Sequence, residues 1–162
     1  MIRSIIVSLL FAISLSATVI NVPGDQATIQ AGLNMCSPGD TVILESGSYI
    51  ENVVWPPIGN IHLIGSGSEF CTIDGDAGGS VMRIENTGGD SNYISGVRII
   101  NGSASGIYSD NASMVLSDLI IENNSAGSGG GIWVADGTSL IQNTYFLNNT
   151  SGLYGGGLFV GS

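Results

Sequence analysis

Lysine is absent from the 162 residues, and the basic side chains number three: Arg3, Arg83 and Arg98. Against thirteen acids they leave a formal charge of −10. Such a chain has no cationic patch with which to neutralise phosphates, so nucleic acid is excluded as a partner and an anionic membrane surface is disfavoured. A single histidine, His62, gives a Ser–His catalytic system no suitable partner segment. Two cysteines, Cys36 and Cys71, are too few for a thiolate metal site. Charged residues make up 10% of the chain, under half the usual globular share, but this is not a disordered composition. Hydrophobic residues reach 43% and fall in short periodic runs, which disordered tracts do not show.

The one long apolar stretch is N-terminal. Arg3 supplies a positive start, Ile5 to Leu15 an apolar core, and Leu15-Ser16-Ala17 a small-residue exit. Residues 1–17 therefore read as a secretory signal, with a buried N-terminal strand or helix as the plain alternative. The stretch is too short for a comfortable membrane span, and no transmembrane segment follows it. Residues 18–162 are left to act outside the cytoplasm, secreted or at the cell surface. In that compartment Cys36 and Cys71 are compatible either with a disulfide or with two buried free thiols.

What the chain has in abundance is glycine, 25 residues, and a phrase that recurs. Gly106-Ile107-Tyr108, Gly131-Ile132-Trp133 and Gly157-Leu158-Phe159 place Ile107, Ile132 and Leu158 25 and 26 residues apart. A second phrase ends on Asn101, Asn123 and Asn148, spaced by 22 and 25. A fixed period made of short β-rich pieces indicates a solenoid whose coils stack as parallel sheets. Alternation along each strand turns Met82, Ile84, Ile107, Ser109, Ile132, Val134, Leu158 and Val160 inward. Val97, Ile99, Leu119, Ile121 and Phe146 form a second inward column, and Ile94, Leu116 and Ile141 a third. Asn101, Asn123 and Asn148 are expected to stack as an amide ladder where strand meets corner. Before the repeat, Gln26 to Met35 reads as a short amphipathic helix, with Ile29, Leu33 and Met35 on one face. It closes the apolar end of the first coil, which has no coil beneath it.

Three features resemble the pectin-lyase-like right-handed parallel β-helix proteins. They are Ala27-Thr-Ile-Gln-Ala31 followed by Ser37-Pro-Gly-Asp-Thr-Val42, the Ile73-Asp-Gly75 turn after Ile64-Gly-Ser-Gly67, and the alternation of the two phrases. That alternation is also similar to the repeats of polymorphic outer-membrane proteins. The resemblance implies an all-β, right-handed parallel β-helix with a short N-terminal capping helix. Its apolar stack is expected to continue past Ser162, on downstream coils of a longer chain or another copy.

The fold hosts enzymes and passive stalks alike, so chemistry has to be read from residues. Glycosidases of this fold carry an Asp-Asp pair with Gly-His-Gly and Arg-Ile-Lys segments, and none of these occurs here. Lyases of the fold use Arg or Lys beside calcium-binding acids. Arg83 and Arg98 point outward, but Glu85 and Asp90 make no ligand cluster of recognisable spacing, and Asp74-Gly-Asp76 reads as a turn. No catalytic residue, metal or cofactor is assigned. One binding feature stands out. Tyr108, Trp133 and Phe159 take equivalent outward positions on successive coils, with Tyr145 on a neighbouring strand. Such a row suits the flat faces of sugar rings, or packs on itself to stabilise the sheet. The expectation is an adhesin-like surface scaffold without a catalytic site, contacting polysaccharide or other surface proteins. The alternative is a polysaccharide lyase or glycoside hydrolase whose catalytic coils are missing or divergent.

Overall fold

A computed structural model describes residues 16–161. Of the leader, only Ser16 and Ala17 fall inside that range; residues 1–15 lie outside the described residues. Val19–Val22 (β1) leads into the helix Ile29–Asn34 (α1). Thr41–Leu44 (β2), Gly47–Ile50 (β3) and Val53–Val54 (β4) form the first complete coil. His62–Gly65 (β5), Cys71–Asp74 (β6) and Met82–Glu85 (β7) follow, then Asn92–Ser95 (β8), Arg98–Ile100 (β9) and Ile107–Asp110 (β10). The fourth coil adds a strand at its glycine-rich corner: Ala112–Ser117 (β11), Ile120–Glu122 (β12), Ser125–Ser128 (β13) and Ile132–Val134 (β14). The fifth repeats that plan with Gly137–Gln142 (β15), Tyr145–Leu147 (β16), Thr150–Tyr154 (β17) and Leu158–Val160 (β18).

Like strands stack on like. The three main sheets run β1-β2-β5-β8-β11-β15, β16-β12-β9-β6-β3 and β18-β14-β10-β7-β4, with β13-β17 as a small fourth. Every pairing is parallel, and Met82, Ile107, Ile132 and Leu158 lie in one register column. The alternation rule therefore assigns the core correctly. Met82, Ile84, Ile94, Val97, Ile99, Ile107, Leu116, Leu119, Ile121 and Ile132 are all fully buried. Each such aliphatic side chain contributes about 1.5–3 kcal/mol by leaving water. Ile141 and Phe146 in the last coil are half-buried, and Val160 at the open edge of β18 is exposed.

The corners explain the abundance of asparagine. A chain that turns three times per coil without spending many residues uses single left-handed positions, which Gly, Asn and Asp tolerate best. Asn86 and Asn111 hold φ of 54° and 47° after β7 and β10. Gly96, Asp118 and Asn143 serve after β8, β11 and β15, and Asn101, Asn123 and Asn148 after β9, β12 and β16.

The lid is shorter than the sequence suggests. Thr28 caps α1, its hydroxyl accepting from the Ala31 amide, and Ile29, Gly32 and Leu33 are the buried residues. Met35 is not on the buried face: it ends the helix and is 65% exposed. Gly32 takes its place, packed so closely on Val22 and Val42 that a Cβ would sit 3.2 Å from each. The corner between β3 and β4 clasps the helix from the far side. Glu51 accepts from the Ile29 and Gln30 amides at 2.9 and 3.1 Å, satisfying two donors that a helix start leaves free.

Candidate functional site

The outer face of the β4-β7-β10-β14-β18 sheet carries a row set by register: Arg83 pairs with Tyr108, Tyr108 with Trp133, and Trp133 with Phe159. Arg83, Tyr108 and Trp133 each project outward between two buried neighbours on their own strands, and Phe159 continues the same alternation on the last strand, where Leu158 and Val160 are exposed. Tyr108 meets Trp133 edge to face at 5.2 Å between ring centroids, and Trp133 meets Phe159 at 6.3 Å. Tyr154, from β17, lies nearly parallel to Phe159 at 5.6 Å. At the other end the Arg83 guanidinium sits 4.8 Å above the Tyr108 ring and is held in a two-pronged bond to Glu85, both contacts 2.7 Å. Tyr108, Trp133 and Phe159 are half-buried and Tyr154 is 62% exposed. The rings thus rest on one another and still present surface to solvent.

The surroundings of this row are acidic. Glu85 and Asp110 are register partners two residues along from Arg83 and Tyr108, on the same face. Burial pushes the Tyr108 hydroxyl above its ordinary range, and Asp110 and Glu85 push it the same way against the opposing effect of Arg83. Arg83 is held more firmly protonated, chiefly by its hydrogen bond to Glu85. The Arg83 guanidinium at the row is therefore already matched by a carboxylate. The site can offer flat apolar faces and acceptors for hydroxyl or ammonium donors.

Two sequence expectations are corrected here. Tyr145 does not extend the row: it belongs to β16, whose sheet is β16-β12-β9-β6-β3, where it pairs with Ile120 and stands 68% exposed. Alternation tells inside from outside, but not which of three outer faces a strand contributes to. Tyr154 joins the row instead, by way of a corner strand that the repeat phrase did not reveal. The amide ladder is likewise displaced by one residue. Asn101, Asn123 and Asn148 are exposed at left-handed corners, while Asn124 and Asn149 turn inward. Asn124 is 1% exposed; its Oδ1 accepts from the Gly102 amide at 2.7 Å and its Nδ2 donates to the Ile99 carbonyl at 3.0 Å. Asn149 repeats the motif one coil on, donating to the Ile121 carbonyl at 2.7 Å and accepting from the Asn124 amide at 3.0 Å.

The remaining candidates sit apart from the row. Arg98 is paired with Glu122 at 2.5 Å and Glu69 at 3.2 Å on the β9 face. The Asp74 carboxylate accepts from the Asp76 amide and from Asn101, a local turn arrangement. His62 packs edge-on to Tyr93 at 5.7 Å. Cys36 and Cys71 are free thiols: Cys36 follows the lid helix and donates to the Gly32 carbonyl, whereas Cys71 opens β6 inside the core. Burial, and then the nearby Asp40, push the Cys36 thiol up to about 11, and burial raises Cys71 as well. Neither is poised as a nucleophile at neutral pH.

Among solved structures, the chain resembles a substituted pectin methylesterase crystallised with a hexasaccharide: TM-score 0.58, 16% identity, over 83% of this chain. It spans about half of that protein, 54% of its length. The likeness establishes the right-handed parallel β-helix of the pectin-lyase-like type. No family model matches the chain, and no curated protein does. The likeness of its repeats to those of polymorphic outer-membrane proteins rests on the quoted phrases alone.

Proposed function

We propose that this chain is a secreted or cell-surface β-helix scaffold that contacts glycans through the Tyr108–Trp133–Phe159–Tyr154 row and carries no catalytic site of its own. Residues 1–17 are its export leader. The observation that carries the reading is the row itself. Three rings on one sheet face, Tyr108, Trp133 and Phe159, run across three successive coils and are joined by Tyr154 from the corner strand β17; they pack edge to face, tilted and stacked in turn and are left partly open to solvent. Rigid aromatic faces lose little conformational freedom on binding, which favours stacking against the C–H faces of sugars. With Glu85 and Asp110 beside the row and Arg83 already paired, the fitting glycans are neutral or amino sugars rather than polyuronates.

Trp133 is half-exposed and Trp55 is 3% exposed, so a Trp55→Phe chain reports on Trp133 alone. Titration with neutral and amino-sugar oligosaccharides is expected to shift its fluorescence, and polygalacturonate oligomers are expected to leave it unchanged. A flat response to every glycan class sinks the reading.

The runner-up, a carbohydrate-active enzyme, takes its support from the solved neighbour, a pectin methylesterase described with a hexasaccharide. Release of methanol or of shortened products from pectin by this chain would favour it.

A further inference from the structure

At the lid end, β1 begins where the proposed leader stops. Ser16 and Ala17 are exposed, and Thr18 is the residue from which β1 departs, its carbonyl accepting from the Thr41 amide at 2.9 Å. The Thr18 nitrogen points at a carboxylate. Asp40 Oδ1 accepts from it at 2.6 Å, while Oδ2 accepts from the Ser37 amide at 2.7 Å. Asp40 is only 5% exposed, and its own carbonyl accepts from the His62 amide, so the group is anchored in the first coil. Beside it opens a cleft of about 540 Å³, lined by Thr18, Asp25, Gln26, Met35 and Asp40 among others. A buried carboxylate served by backbone amides, with no arginine against it among the described residues, is an unusual investment at the foot of a strand.

We infer that the Ala17–Thr18 bond is the processing site, and that the α-ammonium released on Thr18 forms an ion pair with Asp40 that locks the lid to the first coil. The inference rests on the export reading given above. A leader endopeptidase of the export route hydrolyses the bond with one water. The C–N bond breaks, the water oxygen joins the Ala17 carbonyl carbon, Ala17 leaves on the leader as a carboxylate, and the Thr18 nitrogen keeps the electron pair and takes up both protons of the water to become an ammonium. The nitrogen that donated as a neutral amide then donates as a cation to the same oxygen, and a charge-assisted bond is the stronger one. Its remaining protons face the cleft. The leader takes Arg3 with it, so the new ammonium joins Arg83 and Arg98 as the third cation of a chain that keeps all thirteen acids.

The pairing has a pH signature. A free α-amino group titrates near 7.7–8.0, and a carboxylate partner raises that value in the folded state. The stabilisation is complete below the unfolded value and is lost as pH rises through the folded one. The other titratable groups around the pair are Asp25 across the cleft, Cys36 with its thiol raised to about 11, and His62 on β5. All three are common to a chain with a free and a blocked terminus, so the difference between those chains isolates the amine.

The test uses two readouts. The first is the N-terminal residue of the chain after export with its own leader, read by mass spectrometry. The second is the melting temperature from pH 6.5 to 10 for a chain starting at Thr18, for the same chain N-acetylated, and for Asp40→Asn. The inference predicts Thr18 as the first residue. It also predicts a free-amine chain whose advantage over the acetylated one, roughly 2–4 °C at pH 7, vanishes by pH 10. Asp40→Asn is expected to erase that difference; if it fails to fold, the acetylated chain carries the comparison. Cleavage at another bond overturns the site and leaves export standing. A chain that keeps residues 1–17 overturns the export reading itself. Parallel pH profiles for free and acetylated chains overturn the ion pair.

Discussion

Adjacent asparagines in this chain do different work. Asn123 takes a left-handed corner at φ 55° with its side chain in solvent, whereas Asn124 is buried and holds the Gly102 amide and Ile99 carbonyl. Asn123→Gly keeps the backbone conformation and is expected to change stability by less than about 1 kcal/mol. Asn124→Gly strands buried polar groups on two coils and is expected to cost roughly 2–4 kcal/mol. Urea denaturation of the two variants separates them, and equal losses would refute the distinction. The sequence showed a column at Asn101, Asn123 and Asn148, but not that the residues one position on, Asn124 and Asn149, are the ones that face inward. The left-handed residue turns the corner from one sheet to the next, so alternation counted through it fails by one. Tyr145 was misplaced and Tyr154 was not singled out because corners choose the sheet, and corner geometry is not periodic in hydrophobicity.

Among the elements, the lid depends most on one distant side chain. A six-residue helix is too short to be stable alone, so its start relies on Thr28 from within and Glu51 from the β3–β4 corner. Gln30 completes the clasp, exchanging two hydrogen bonds with the Val54 backbone at 2.7 and 2.8 Å. Glu51→Ala is expected to lower stability by about 1–2 kcal/mol, and Glu51→Gln by less, because the amide oxygen still accepts one bond. Amide hydrogen exchange tells whether the effect is local. Ile29 and Gln30 are expected to lose protection well before β10, and uniform loss across the coils would count against a lid that opens by itself. The lid's existence was legible in the spacing of Ile29 and Leu33. Its partner was not, since a 22-residue separation between Ile29 and Glu51 leaves no local pattern.

Over the whole molecule, stacking turns one repeated phrase into a core and a face together. The 25-residue period that buries Ile107 on Ile132 also sets Tyr108 against Trp133, and both were readable because parallel register preserves position in the phrase. The fold hosts many functions, so the account of function stands on that outer row and not on the architecture. No helix among the described residues is long and apolar enough to cross a membrane.

The most direct probe is retardation in native gels cast with polysaccharide, running the parent chain beside Trp133→Ala and Tyr145→Ala. The account predicts retardation by neutral or amino-sugar polymers, its loss in Trp133→Ala, and its retention in Tyr145→Ala, whose ring lies on another sheet. Equal mobility of all three chains in every gel would contradict it, as would retardation that depends on Tyr145 and not on Trp133.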